Sequence, residues 1–244
     1  MKKIKINIPA SWNELKDQQL EQIALIFNTL QPGVLFDVAI LRILINNEGK
    51  LNTLLQEVPL SVLRGYYSSL YTDANRTAFV KQWKINGNVY HSPGDRINNL
   101  TIDEFAIVED LQMKWLKEKD RTYLEYMAAV LYVPKFGKRP DFDKLLLEEK
   151  AKEFKEVPIE KLLAMEIAFR GCKFHMEKRF PLVYPKRVGK KKSKADNYGF
   201  SKVILQMSGL KFGTHEETKR TNVYTFHEEF QENLKQAENA KRNS

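Results

Sequence analysis

Apolar side chains recur at alternating steps of three and four residues over much of this 244-residue chain. Two such series are Leu20, Ile23, Phe27 and Leu30, and Leu162, Met165, Phe169, Cys172 and Met176. This spacing places apolar side chains along one face of an α-helix, where they can be buried against other helices. The spacing therefore predicts a chain built mainly from amphipathic helices packed on one another.

Two pairs of residues with capping-box spacing predict where helices begin. Glu14 follows Ser11 by three residues, and Glu104 follows Thr101 by three. In such a pair the two side chains can satisfy free backbone N–H groups of a first helical turn. We therefore expect one helix to begin near Trp12 and another to begin directly after Thr101.

A short β-sheet is predicted beside the helices. β-formers flank Asn86-Gly87 in residues 79–91, and this dipeptide favours a hairpin because both turn positions tolerate a positive φ. Residues 3–8 alternate polar residues with isoleucine, which is the period of a half-buried strand. The predicted fold class is mainly α, of the α+β type. It comprises a multi-helix, bundle-like body and a small antiparallel sheet made from the N-terminal strand and the hairpin.

Positive charge is concentrated in one segment. Six of the 40 Lys and Arg residues lie in residues 186–194, KRVGKKKSK, so the rest of the chain has 34 against 31 Asp and Glu. A segment with almost nothing to bury is typical of an exposed linker. We therefore predict a helical body with the small sheet over residues 1–184, a basic linker over 185–195, and a C-terminal helical unit over 196–244.

The same basic run is the candidate site for a partner or for nucleic acid. Its cations could neutralise phosphates and give salt-dependent affinity for nucleic acid. No aromatic side chain lies between them to stack on a base, however, and charge runs are more often solvated linkers or contacts to an acidic protein surface. The candidate binding residues are Lys186, Arg187, Lys190, Lys191, Lys192 and Lys194.

Motifs for catalysis, metals and cofactors are not found. The four histidines lack metal-ligand spacing, and the single cysteine, Cys172, lies within an apolar helical stripe. Asp141, Glu148 and Lys150 imitate a nuclease PD…ExK string, but helix formers surround the last two where that chemistry needs a strand. No phosphate-binding loop is present either. We therefore expect a protein that is not an enzyme and that needs no cofactor or metal.

The order of several short patterns resembles accessory proteins encoded in the tail modules of tailed bacteriophages and prophages. These patterns are IPASWNEL, the INGNVY hairpin before NNLTIDEF, the helix ending in LYVP, and NYGFSKVILQMSG with KFG and TNVYTF. Within that group the chain looks similar to tail assembly chaperones, which are encoded between the tail tube and the tape measure. No individual binding residue carries over, because that family has no fixed functional motif that matches here.

The resemblance implies a non-enzymatic role that depends on protein contacts. The implied partners are the apolar, helical tape-measure protein and the tail-tube subunits, and the implied location is the host cytoplasm during phage assembly. Two alternatives stay open. One is a nucleic-acid-associated phage protein that uses the basic run, and the other is a structural virion component at the neck or connector. We expect no membrane partner, because the most apolar stretch is short and is interrupted by Asp37 and Arg42.

Overall fold

The computed structural model describes residues 6, 8–9, 11–72, 75–134, 139–185, 199–209 and 211–242. Within these residues the fold is mainly helical, with a two-stranded antiparallel sheet, which confirms the predicted fold class. The N-terminal strand predicted over residues 3–8 lies largely outside the described residues. None of the described helices is both long and apolar enough to cross a membrane.

Twelve α-helices and two strands lie in the described part of the chain. The helices of the first half are α1 (Asp17–Thr29), α2 (Val34–Ile45), α3 (Glu48–Glu57), α4 (Leu60–Gly65), α5 (Ser69–Thr72) and α6 (Ile102–Glu118). Those of the second half are α7 (Arg121–Leu131), α8 (Leu147–Lys152), α9 (Ile159–Arg179), α10 (Gly199–Met207), α11 (His215–Lys219) and α12 (Val223–Arg242). The strands are β1 (Gln82–Ile85) and β2 (Asn88–His91), and short 3-10 turns cover Trp12–Glu14, Asp95–Ile97 and Lys144–Leu146.

The two capping-box predictions have different outcomes. At α6 the Thr101 side chain accepts from the Glu104 backbone N–H and the Glu104 side chain accepts from the Thr101 N–H, so the prediction is confirmed. At the N-terminus Ser11 makes no capping bond to the backbone, and its hydroxyl donates to the Glu14 carboxylate. The chain forms a single 3-10 turn there and leaves the helical conformation at Leu15, so the prediction of an α-helix beginning near Trp12 is wrong.

The hairpin prediction is confirmed at both turn positions. Asn86 has φ 48° and Gly87 has φ 82°, and β1 pairs with β2 in the register that joins Ile85 to Asn88. Positive φ at both central residues is the requirement of a type I′ turn, which matches the twist of the two strands.

The chain divides into two compact units, and each is made of two separate stretches of sequence. The first unit contains Met1–Val80 and Val157–Cys172, and the second contains Lys81–Glu156 and Lys173–Ser244. The predicted basic linker lies almost wholly outside the described residues. The division into 1–184, 185–195 and 196–244 therefore stays a prediction.

The first unit has an apolar core supported by one buried arginine. The core includes Leu20, Ile23, Phe36, Ile40, Leu41, Leu162, Met165 and Phe169. Arg76 is buried and donates to the backbone carbonyl oxygens of Trp12, at 3.0 Å, and Leu15, at 2.8 Å. A buried guanidinium must be hydrogen-bonded to offset its lost hydration. The bonds to these two carbonyls therefore hold the segment before α1 in place.

The second unit is built around α6. On the hairpin, Trp83 stacks on Tyr132 with ring centroids 3.8 Å apart, and β2 continues into an antiparallel bridge between His91 and Val133. Helices α10, α11 and α12 also pack on α6. Two backbone hydrogen bonds hold this arrangement, from Ile102 N–H to the Thr221 carbonyl and from Val223 N–H to the Leu100 carbonyl.

Candidate functional site

The basic run predicted as a binding site lies outside the residues that the structure describes. This applies to each of its six cations, Lys186, Arg187, Lys190, Lys191, Lys192 and Lys194. Their role therefore stays a prediction from the sequence.

The nuclease-like string lies in a loop and a helix. Asp141 is exposed in the loop before the Lys144–Leu146 turn, where its carboxylate lies 3.8 Å from the Arg220 guanidinium. Glu148 and Lys150 lie on α8, as the helix-forming residues of this segment predict. The adjacent strands that PD…ExK chemistry uses are not formed at this place.

Cys172 and His227 are buried, whereas His175 is half-buried. Cys172 is buried on α9, and its thiol donates to the Thr77 carbonyl at 3.4 Å. His175 is half-buried on the same helix, and His227 is fully buried on α12. Among the described residues no three His, Cys, Asp or Glu side chains are grouped closely enough to hold a metal ion.

His227 lies inside an aromatic cluster in the second unit. Its Nδ1 is 2.7 Å from the Val223 carbonyl oxygen and its Nε2 is 2.9 Å from the Tyr184 hydroxyl. A carbonyl only accepts, so Nδ1 carries the proton and Nε2 accepts from Tyr184. Burial lowers the pKa of His227 to about 4, although the bond to Val223 partly opposes this shift. The imidazole is therefore neutral at physiological pH, as a buried structural histidine should be.

A second polar cluster, in the first unit, surrounds Asp37 of α2. This carboxylate is 1% exposed and accepts hydrogen bonds from the Arg64 guanidinium and from the hydroxyls of Tyr67 and Tyr71. Burial alone would raise the pKa of Asp37, but these three donors outweigh it and hold the pKa below its usual value. Burial and the bond to Asp37 also raise the pKa of Tyr67 to about 12.

The Asp37 cluster stabilises the contact between α2 and α4 and offers no exposed nucleophile or base. All of its donors bind the Asp37 carboxylate. These hydrogen bonds and the positive charge of Arg64 offset the hydration that the carboxylate loses when it is buried. The sequence contained one signal of it, a charged residue inside the apolar stretch VLFDVAILRILI. The partners could not be identified from sequence, because Arg64 lies 27 residues away and comes close only through tertiary packing.

The strongest candidate for a contact with another protein is the turn between α1 and α2. Three large apolar side chains within six residues remain exposed there: Leu30, Val34 and Leu35. Val34 is 67% exposed and Leu35 is 79% exposed. We call these three residues the α1–α2 tip. The same unit also exposes Val62 and Tyr66 of the α4 region.

The helical spacing explains why sequence analysis missed the tip. Leu30 belongs to the stripe that runs along α1, and Val34 and Leu35 belong to a stretch that is apolar on most faces. Both features predict burial. In the structure Phe36, Ile40 and Leu41 of α2 are buried, while Val34 and Leu35 at the start of the helix are exposed.

Comparisons with protein-family models, with curated proteins and with solved structures find no match to this chain.

Proposed function

We propose that this chain is a phage tail-assembly accessory protein that works through protein contacts, in the manner of a chaperone. Its partners in this proposal are the tape-measure protein and the tail-tube subunits, and it acts in the host cytoplasm while the tail is built. The resemblance to tail-module proteins supports this role. The structural observation that carries the proposal is the exposed α1–α2 tip, Leu30, Val34 and Leu35.

The chemistry of the tip fits an apolar helix as its occupant. Fully burying an exposed Leu or Val side chain contributes about 1.5–3 kcal/mol, so covering the tip would be favourable. Helices that dock by apolar side chains use anchors spaced along one face, and a tape-measure helix is apolar over a long distance. A protein that covers such helices before assembly would need exposed apolar side chains of this kind.

Changing Leu35 to serine tests the proposal directly. We expect Leu35→Ser to reduce co-purification of the tape-measure protein severalfold, because it removes the most exposed apolar side chain of the tip. The matched control is Leu145→Ser, which removes a leucine that is 90% exposed in the second unit. The control should bind like the wild-type protein. Far-UV circular dichroism of both variants checks that the fold is retained.

Four results would contradict the proposal or replace it. Equal binding by Leu35→Ser and the wild-type protein would remove the tip from the contact. DNA binding that falls steeply with salt would favour the nucleic-acid alternative and the basic run. Stoichiometric amounts of the protein in purified particles, found by mass spectrometry, would favour a neck or connector component. A gene neighbourhood without tube and tape-measure genes would also count against the proposal.

A further inference from the structure

A polar cleft of about 330 Å³ opens in the second unit between the Asp95–Ile97 turn, α9 and the start of α12. This volume is at the lower end of the range for small-ligand sites and has room for a phosphate group. Three basic side chains line the cleft, namely Arg96, His175 and Arg179, and they are joined by Asn98, Asn222 and Tyr224.

The basic side chains converge from two separate elements. His175 and Arg179 are four residues apart on α9 and therefore lie on one face of that helix. Arg96 comes from the turn on the other side of the cleft and makes no ion pair with any described residue. Arg179 does pair with the Glu228 carboxylate, at 2.7 Å, and its guanidinium lies 5.2 Å from the Tyr224 ring centroid.

The residues that line the cleft include two arginines and one carboxylate, that of Asp95, while Glu228 lies outside this lining. Glu228 is engaged by Arg179, and Asp95 lines the cleft next to Arg96. Burial and the positive charges of Arg96, Arg179 and Lys178 lower the pKa of His175. The free site therefore holds His175 neutral near pH 7, and a bound anion would favour its protonated form.

The backbone at Arg96 is held in an unusual conformation. Arg96 and Ile97 have φ values of 58° and 56°, which residues other than glycine rarely adopt. The turn is fixed from several sides: the Tyr224 hydroxyl donates to the Arg96 carbonyl at 2.8 Å, and the Asn222 amide donates to the Asn98 carbonyl at 2.7 Å. Ile97 is fully buried. Strain that the surroundings enforce in this way is concentrated at functional sites in proteins.

We propose that this cleft, lined by Arg96, His175 and Arg179, is a binding site for a phosphate group. Two guanidinium groups supply planar, permanently charged donors that match phosphate oxygens. His175 adds a further donor when it is protonated. The group could be free phosphate or part of a nucleic-acid backbone, since both present the same oxygens. This site is independent of the α1–α2 tip, and the failure of one proposal leaves the other intact.

Arg96→Gly is the most informative variant. Glycine adopts positive φ without strain, so this change removes the guanidinium while the turn keeps its conformation. Inorganic phosphate is titrated into the full-length protein at constant ionic strength, and the His175 imidazole resonance is followed by NMR, with His175→Gln used for its assignment. We expect saturable binding to the wild-type protein and a loss of affinity of roughly tenfold or more in Arg96→Gly.

The matched control is Arg242→Gln, which removes the same charge at the far end of α12. Position 242 lies about 27 Å along the helix from Tyr224, at 1.5 Å per residue. This variant should bind phosphate like the wild-type protein.

Sulfate, which stays dianionic from pH 5.5 to 8, should bind more tightly as the pH falls, because its binding is coupled to protonation of His175.

The outcomes separate the possibilities. No saturable shift with phosphate, or an equal shift in Arg96→Gly and the wild-type protein, would overturn the proposal. Displacement of phosphate by a single-stranded oligonucleotide from the wild-type protein, with no binding of that oligonucleotide to Arg96→Gly, would support the cleft and identify nucleic acid as the source. Saturable phosphate binding without such competition would support the cleft with free phosphate as its ligand.

Discussion

His227 makes the stability of the fold sensitive to acid through a single side chain. It is fully buried beside Phe105, Phe180 and Phe200, and burial lowers its pKa to about 4. In the unfolded chain a histidine has a pKa of about 6.5. Between these two values the unfolded chain takes up a proton that the folded chain does not. The free energy of unfolding therefore falls as the pH falls from about 6.5 to about 4.

We predict that His227→Phe weakens this loss of stability. For the wild-type protein, His227 should account for a fall of about 2 kcal/mol in unfolding free energy between pH 7.5 and pH 5.0. Phenylalanine does not titrate and suits the aromatic surroundings. Over the same pH range the unfolding free energy of the variant should therefore fall by about 2 kcal/mol less than that of the wild-type protein. Urea unfolding at the two pH values measures the difference. The pKa of His175 is also lowered, so part of the acid loss remains in the variant.

His215→Gln is the control for this prediction. His215 lies at the start of α11, where its Nδ1 is 3.2 Å from the Ser208 hydroxyl. The variant retains His227 and should therefore retain the acid loss. Equal pH dependence of His227→Phe and the wild-type protein would show that the pKa of His227 is the same in the folded and the unfolded chain.

At the scale of single elements, two helical glycines should respond in opposite ways to alanine. A Cβ at Gly171 of α9 would lie 2.1 Å from the Arg76 carbonyl oxygen, which is a backbone atom in a segment held by buried hydrogen bonds. A Cβ at Gly65 of α4 would meet nothing within 4 Å. Only Gly171 is therefore required for the close approach of two chain segments.

We predict that Gly171→Ala lowers the free energy of unfolding by about 2 kcal/mol or more, as overpacking does in other cores. Gly65→Ala should raise it by about 0.5 kcal/mol, because alanine reduces the conformational freedom of the unfolded chain. Chemical denaturation of both variants at pH 7.5 gives the two values. A stabilising effect at both positions would mean that α9 and the Arg76 segment are not in contact.

The elements predicted best are those determined by local residue chemistry. The Asn86-Gly87 turn and the Thr101 capping box were correct because each depends on residues within a few positions of one another. Helix α9 follows Pro158, as its apolar stripe and the preceding proline predict. The expected start near Trp12 failed because buried tertiary bonds from Arg76 hold that segment in a different conformation.

The candidate sites were harder to predict because they depend on residues distant in sequence. Arg96 and His175 are 79 positions apart, and no residue pattern indicates that an arginine adopts a positive φ. The α1–α2 tip has the spacing of a buried stripe, and only the packing of the unit reveals that it is exposed. The basic run could be identified from the sequence, because its cations are neighbours along the chain and recognising them requires no knowledge of the tertiary structure.

At the scale of the whole molecule, the C-terminal helices are part of the second unit. Phe200 of α10 lies 5.5 Å from Phe105 of α6 between ring centroids. Val223 and Phe226 of α12 are fully buried. These contacts give a direct way to test the predicted boundary between a body over 1–184 and a C-terminal unit over 196–244.

We predict that a fragment of residues 1–184 loses cooperative thermal unfolding and binds the dye ANS. Without α10 to α12, the aromatic rings of Phe105 and Phe180 lose the partners that cover them, and their apolar surface becomes exposed to water. A fragment ending at Lys235 is the control, because residues 236–242 are exposed and contribute little to the core. It should unfold near the wild-type midpoint. If the 1–184 fragment unfolded cooperatively at that midpoint as well, the body would be an independent domain, because its stability would not depend on α10 to α12.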